Sequence, residues 1–261
     1  MLNVNAEAIA TKFQEIANEY EPLNTADVTI PPFSEDDILV INEAEVQNVL
    51  ENLKLNKSER KTDIPAKVYK QFARKLCIPI TKLINKAIRQ GVWPDFMKLE
   101  VVTPVPKVTH PKTVDDLRKI SGLTNLNKIF EKVLCKYMIK DMENNMDPSQ
   151  YGNRPGVGIN HYLIRLIDRI LKATDNSSKK ENIAVICNLV DFSKAFDRQS
   201  PLLGVKSFIK NGVRPCLIPI LISFFQNRKM IVKWHGTMSS ERPLLVEARK
   251  DLQWGLGRSL F

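Results

Sequence analysis

Apolar residues recur at intervals of three and four over much of this chain, the spacing of one buried helical face. MLNVNAEAIATKFQEIANEY shows it first and predicts a short N-terminal helix. The acidic, proline-broken TIPPFSEDD that follows predicts a linker, or an arm laid on a surface. From Asn42 to Leu55 the pattern is amphipathic, with Ile41, Val46, Val49, Leu50 and Leu53 on the buried side. VYKQFARKLCIPITKLINKAIRQ predicts a longer helix, bent near Pro79 and ended by Gly91. NLNKIFEKVLCKYMIKDMENN gathers Ile129, Val133, Leu134, Tyr137 and Met138 on one side. HYLIRLIDRILKATD, PLLGVKSFIKNG and PCLIPILISFFQNR predict three more helices.

Strand patterns are fewer. LEVVTPVPK is β-branched and predicts a short strand stopped by Pro104 and Pro106, with DDLRKISGL as a second. NIAVICNLVDF is an unbroken apolar run ending in an acid, the pattern of a strand buried on both faces. KMIVKWHG alternates, QYGNRPGVGI reads as a glycine-rich loop, and no internal repeat is present. Helices outnumber strands in mixed order, which predicts an α+β fold, helices packed on a small mixed or antiparallel sheet.

Composition narrows the partners. The 261 residues, 43% of them hydrophobic, suffice for one large domain or two small ones. Thirty-nine Lys and Arg against 29 Asp and Glu leave a net charge of +10, which suits a polyanion such as nucleic acid. No apolar run is long enough to span a bilayer, and the N-terminus lacks a basic start followed by an apolar block; an intracellular protein that is neither secreted nor membrane-bound is expected. Cys77, Cys135, Cys187 and Cys216 are far apart and form no CxxC pair, which argues against zinc and for reduced core thiols. His110, His161 and His235 stand isolated.

Candidate chemistry concentrates in LVDFSKAFD, residues 189–197. A buried strand would deliver Asp191 at its end, where an ionised carboxylate needs a cation or hydrogen bonds to compensate it. A divalent metal is one compensator; capping a helix begun near Ser193 is the other. The segment resembles the first catalytic palm motif of the reverse transcriptases of non-LTR retrotransposons. Four further segments resemble that family in its order: KLNKSERKTDIPAK, RQGVWPDFMKLEVVTPVPK, DDLRKISGLTNLNKIFEKVL and DPSQYGNRPGVGI. The resemblance implies a right-hand polymerase, with residues 1–45 as N-terminal helix and linker, 46–180 as fingers, 181–243 as an incomplete palm and 244–261 as a tail. It implies an RNA-directed DNA polymerase, a nucleotidyltransferase acting with Mg²⁺ on an RNA template, a DNA primer and deoxynucleotides. Carried over residue by residue, Asp191 matches the catalytic, metal-binding carboxylate and Phe196 the ring that blocks a ribose 2′-OH. Lys107 and Arg118 match the basic positions that face the incoming triphosphate, where charge neutralisation and a bidentate grip are needed. Without the resemblance, both would read as solvated surface cations.

The chain departs from the family at several points. Lys119 stands where a proline follows the Arg, and Asn153 replaces an aromatic after Gln-Tyr-Gly. The family's second catalytic motif, aromatic-x-Asp-Asp, does not occur in the 261 residues. Where a glycine-rich segment is expected, the chain reads Leu244 to Gly255, LLVEARKDLQWG. Reading the last base of each codon with the first two of the next allows Pro-Gly-Gly-Gly-Pro-Gln-Gly-Ser-Thr-Met-Gly, which resembles the missing segment. A reading-frame slip between Gly236 and Leu244 is therefore expected, and with it a polymerase fragment that is inactive. The alternative is a co-opted, non-catalytic nucleic-acid-binding protein.

Overall fold

A computed structural model describes residues 4–17, 21–55, 63–152, 154, 156–175, 184–190 and 200–244. Helices α1 (Ala6–Ala17), α2 (Glu43–Glu51), α3 (Ala66–Gln71), α4 (Ala73–Gln90), α5 (Asn125–Met142), α6 (Ile159–Asp175), α7 (Pro201–Lys210) and α8 (Ile218–Phe225) accompany five short strands. These are β1 (Leu99–Pro106), β2 (Leu117–Gly122), β3 (Arg228–Trp234), β4 (Thr237–Met238) and β5 (Arg242–Leu244). The expected α+β class holds, and the sheet is mixed. β1 pairs antiparallel with β2 and parallel with β3, and β3 pairs antiparallel with both β4 and β5. One sheet therefore joins residues more than a hundred positions apart.

The larger apolar core lies among α2, α4, α5, α7 and α8. Trp93, almost fully buried, anchors the turn between α4 and β1. Its ring meets Phe130 of α5 and Phe224 of α8 edge-on, at 5.7 and 4.9 Å between centroids. Its backbone N–H donates to Ser223 Oγ at 2.9 Å. Gly91 ends α4 in the left-handed region (φ 64°), and a Cβ there would lie 2.5 Å from that of Pro219. Both the backbone and the neighbour demand glycine. The chain on either side of the proline-broken arm contributes Leu23, Val28 and Leu39 to the same core, and Ile30 of the arm packs against it.

A second, smaller core lies under α1, where Ile9, Ala10 and Phe13 cover Val102, Leu117, Met230, Val232 and Leu244 of the sheet. A polar clasp closes its edge. Glu7 accepts from the Ser240 N–H at 2.9 Å, from Ser240 Oγ at 2.8 Å and from the Arg242 guanidinium. The Ser240 N–H first, then Arg242 and the Ser240 hydroxyl, pull the Glu7 carboxyl down to about 2 from its ordinary 4.5. A carboxyl whose folded pKa is depressed stabilises above its unfolded value and stops doing so as pH falls through the folded one. Backbone hydrogen exchange at Ile9 and Ala10 is thus expected to accelerate between about pH 4.5 and pH 2 relative to Glu7→Gln, which lacks the titrating group. Equal exchange in both proteins across that window would show that the clasp does not hold α1.

Four expectations need correction. The segment 184–190, read as a strand buried on both faces, forms no strand, and Ile186, Leu189 and Val190 are about four-fifths exposed or more. An apolar run becomes such a strand only where neighbours flank it, and no described strand pairs with this one. The single helix predicted over VYKQFARKLCIPITKLINKAIRQ is divided at Phe72 into α3 and α4, and α4 runs on through Pro79. β1 likewise continues through Pro104. Its pairing with β3 ends at Val102, so Pro104 lies where one side of β1 has no β3 partner to receive a donor. Cys77, Cys135 and Cys216 are core thiols as expected, and burial pushes the Cys135 thiol up, but Cys187 is exposed.

Candidate functional site

The hairpin of β1 and β2 places two of the predicted site residues together. Val105 lies opposite Arg118, and the ladder continues one step further, where the Lys107 N–H donates to the Asp116 carbonyl at 2.7 Å. Lys107 Nζ donates to the Asp115 carbonyl at 2.7 Å. The loop between them is turned by the Asp116 carboxylate, which accepts from the Lys112 and Thr113 N–H groups at 2.9 and 3.0 Å. The Thr113 N–H, then that of Lys112, hold this carboxyl below the usual carboxylate range. Strand alternation puts Thr103, Val105, Lys107, Arg118 and Ile120 on one face. Arg118 is exposed and forms no ion pair with a described residue.

That face forms one wall of a cleft of about 640 Å³, through Thr103, Val105 and Ile120. Lys128, Glu131 and Lys132 of α5 line it from another side, and Lys54, just after α2, completes a set of three lysines. The position of α5 is fixed at its first turn. Asp63 accepts from the Asn125 N–H at 2.5 Å, Asn125 Nδ2 donates to the Ile64 carbonyl at 2.9 Å, and Thr124 Oγ1 caps Asn127 at 3.2 Å. The Asp63-Ile64 end of KLNKSERKTDIPAK is thereby clamped to the start of α5. The same Asp63 and, above all, burial push the Tyr69 hydroxyl up to about 12. An apolar wall ringed by lysines suits a ligand that combines flat rings with phosphates.

Lys107 and Arg118 are thus brought to one face, while Asp191 and Phe196 lie outside the described residues, as do Asn153, Lys194, Asp197 and the tail beyond Leu244. Among the described residues no three His, Cys, Asp or Glu side chains converge on a possible metal position. No helix among them is long and apolar enough to cross a membrane. The sequence reading missed Lys54, Lys128 and Lys132. The i, i+4 spacing of the latter two marks a shared helical face, but nothing local shows that this face looks across at a hairpin.

No family model matches the chain. A curated Drosophila melanogaster protein, "Probable RNA-directed DNA polymerase from transposon X-element", is 26% identical over 236 residues, which cover 87% of this chain. The chain is similar to a transposon RNA-directed DNA polymerase. It spans 24% of that polymerase's length.

Proposed function

We propose that the chain is part of an RNA-directed DNA polymerase of the non-LTR retrotransposon type. The observation that carries the reading is the shared face of Lys107 and Arg118 on the β1–β2 hairpin, beside a lysine-lined cleft. It gains support from the similarity of most of the chain to the X-element polymerase. On this reading residues 46–180 act as fingers and 181–243 as a partial palm. Arg118 grips a triphosphate through paired N–H donors and Lys107 neutralises it as a point charge. Asp191 is the carboxylate offered to Mg²⁺, which when bound would stabilise charge on the transferring phosphate. Phe196 excludes the ribose 2′-OH by shape. The partners are an RNA template, a DNA primer and deoxynucleotides.

Because the 261 residues hold no aromatic-x-Asp-Asp pair, we propose that they do not incorporate nucleotides by themselves, and that residues from about Leu244 onward are read out of frame. The test uses the same DNA with the frame restored and the downstream sequence included. There, Lys107→Gln and Arg118→Gln should each raise the KM for deoxynucleotides by roughly 10- to 100-fold, the worth of a hydrogen bond to a charged group. Phe196→Ala should admit ribonucleotides more readily. Unchanged KM in both hairpin variants would remove them from the nucleotide site. The basic excess favours one other reading, a co-opted nucleic-acid-binding protein without catalysis. Salt-sensitive binding with no incorporation, even after the frame is restored, would select it.

A further inference from the structure

Helices α3 and α4 carry seven cations and no acid between Ala66 and Gln90. Lys67, Lys70, Arg74, Lys75, Lys82, Lys86 and Arg89 are all exposed, and none forms an ion pair with a described residue. At about 100° per residue, the five on α4 fall within an arc of about 120°, turned away from the arc buried by Cys77, Ile84, Ala87 and Ile88. A helix face that is merely solvated tends to mix signs and pair them along the helix. Elsewhere this chain does so, at Lys12–Glu15 on α1 and Asp168–Lys172 on α6. The five like charges along this face of α4 repel one another, a cost that a bound polyanion removes.

The stripe has a direction. Ala66, the first residue of α3, lines the lysine-ringed cleft, and Lys67 follows it. From there the cations lead along α3 and then α4. From Arg74 to Arg89 the axis rises about 22 Å, which matches roughly six phosphates of one strand at about 3.4 Å each. We propose that this face is a second nucleic-acid contact, a track for the phosphate backbone leading away from the cleft, separate from the hairpin residues and indifferent to base sequence. The proposal rests on the nucleic-acid reading above for its choice of polyanion. No base-reading group is required of it, because Lys and Arg on phosphates position a strand without reporting its sequence.

The experiment measures binding of the full chain to a labelled RNA–DNA hybrid of about 20 base pairs, long enough to cover the stripe, between 50 and 200 mM salt. The variant R74Q/K82Q/K86Q/R89Q keeps good helix formers at exposed positions. Its slope of log affinity against log salt should be shallower by about three to four, and its affinity at 100 mM salt lower by about 100-fold or more. The pairs K82Q/K86Q and R74Q/R89Q should each lower the slope by about two, which keeps the result readable if the fourfold variant misfolds. Wild-type slope and affinity in the folded variants would overturn the track and leave the polymerase reading to its own incorporation test. Absence of wild-type binding at 50 mM salt, or binding only to acidic phospholipid vesicles, would overturn it as well.

Discussion

Arg228→Met is expected to cost about 3–5 kcal/mol of folding stability, the usual loss when one partner of a buried ion pair is removed. Arg228 opens β3 and Glu100 lies on β1, and their side chains are 1% and 0% exposed. The guanidinium donates to Glu100 Oε1 through Nη2 and to the Phe224 carbonyl through Nη1 at 3.3 Å. It also lies over the Phe224 ring, 4.4 Å from its centroid. One side chain thus ties β1, β3 and the end of α8 together. Without it, the Glu100 carboxylate stays fully buried, lacking its guanidinium partner. The double variant E100M/R228M should recover most of the loss, because neither charge then has to be desolvated. Urea unfolding at neutral pH measures both. A loss below about 1 kcal/mol for Arg228→Met, with an unchanged m-value, would show the pair to be solvated in solution.

The second large effect is on activity. On the proposed polymerase reading, with the frame restored, Asp191→Asn is expected to lower incorporation by several orders of magnitude, because a metal site would lose a charge while the shape of the side chain stays nearly the same. Binding of the RNA–DNA hybrid should change little, since the proposed phosphate contacts lie on other residues. Near-normal incorporation by Asp191→Asn would return this residue to the role of a helix cap.

The two readings of Asp191 show how the sequence and the fold divide the work. A short local pattern, an apolar run ending in Asp, does not say whether neighbours flank the run. In the structure 184–190 is exposed and pairs with no described strand, and Asp191 lies outside the described residues. Its role therefore rests on resemblance and on the proposed experiments. Lys107 and Arg118 are different. Their roles also came from the resemblance, but the register of the β1–β2 hairpin, with Val105 opposite Arg118, puts them on one face.

The helices were written in the sequence, because amphipathic spacing is local. Ile41, Val46 and Leu50 are buried with α2, as are Ile129, Val133, Leu134 and Met138 on α5, each at an expected position. The α+β class followed from the order of those patterns. What only the tertiary structure decided is which distant segments meet. β1 pairs in parallel with β3, α1 covers the sheet through Glu7 and Arg242, and Asp63 caps α5 from some sixty residues away. The lysines of the cleft come from α5 and from the chain just after α2. Such meetings depend on how whole faces pack, and on burial that satisfies Glu100 with an arginine 128 positions later, and no local period records either.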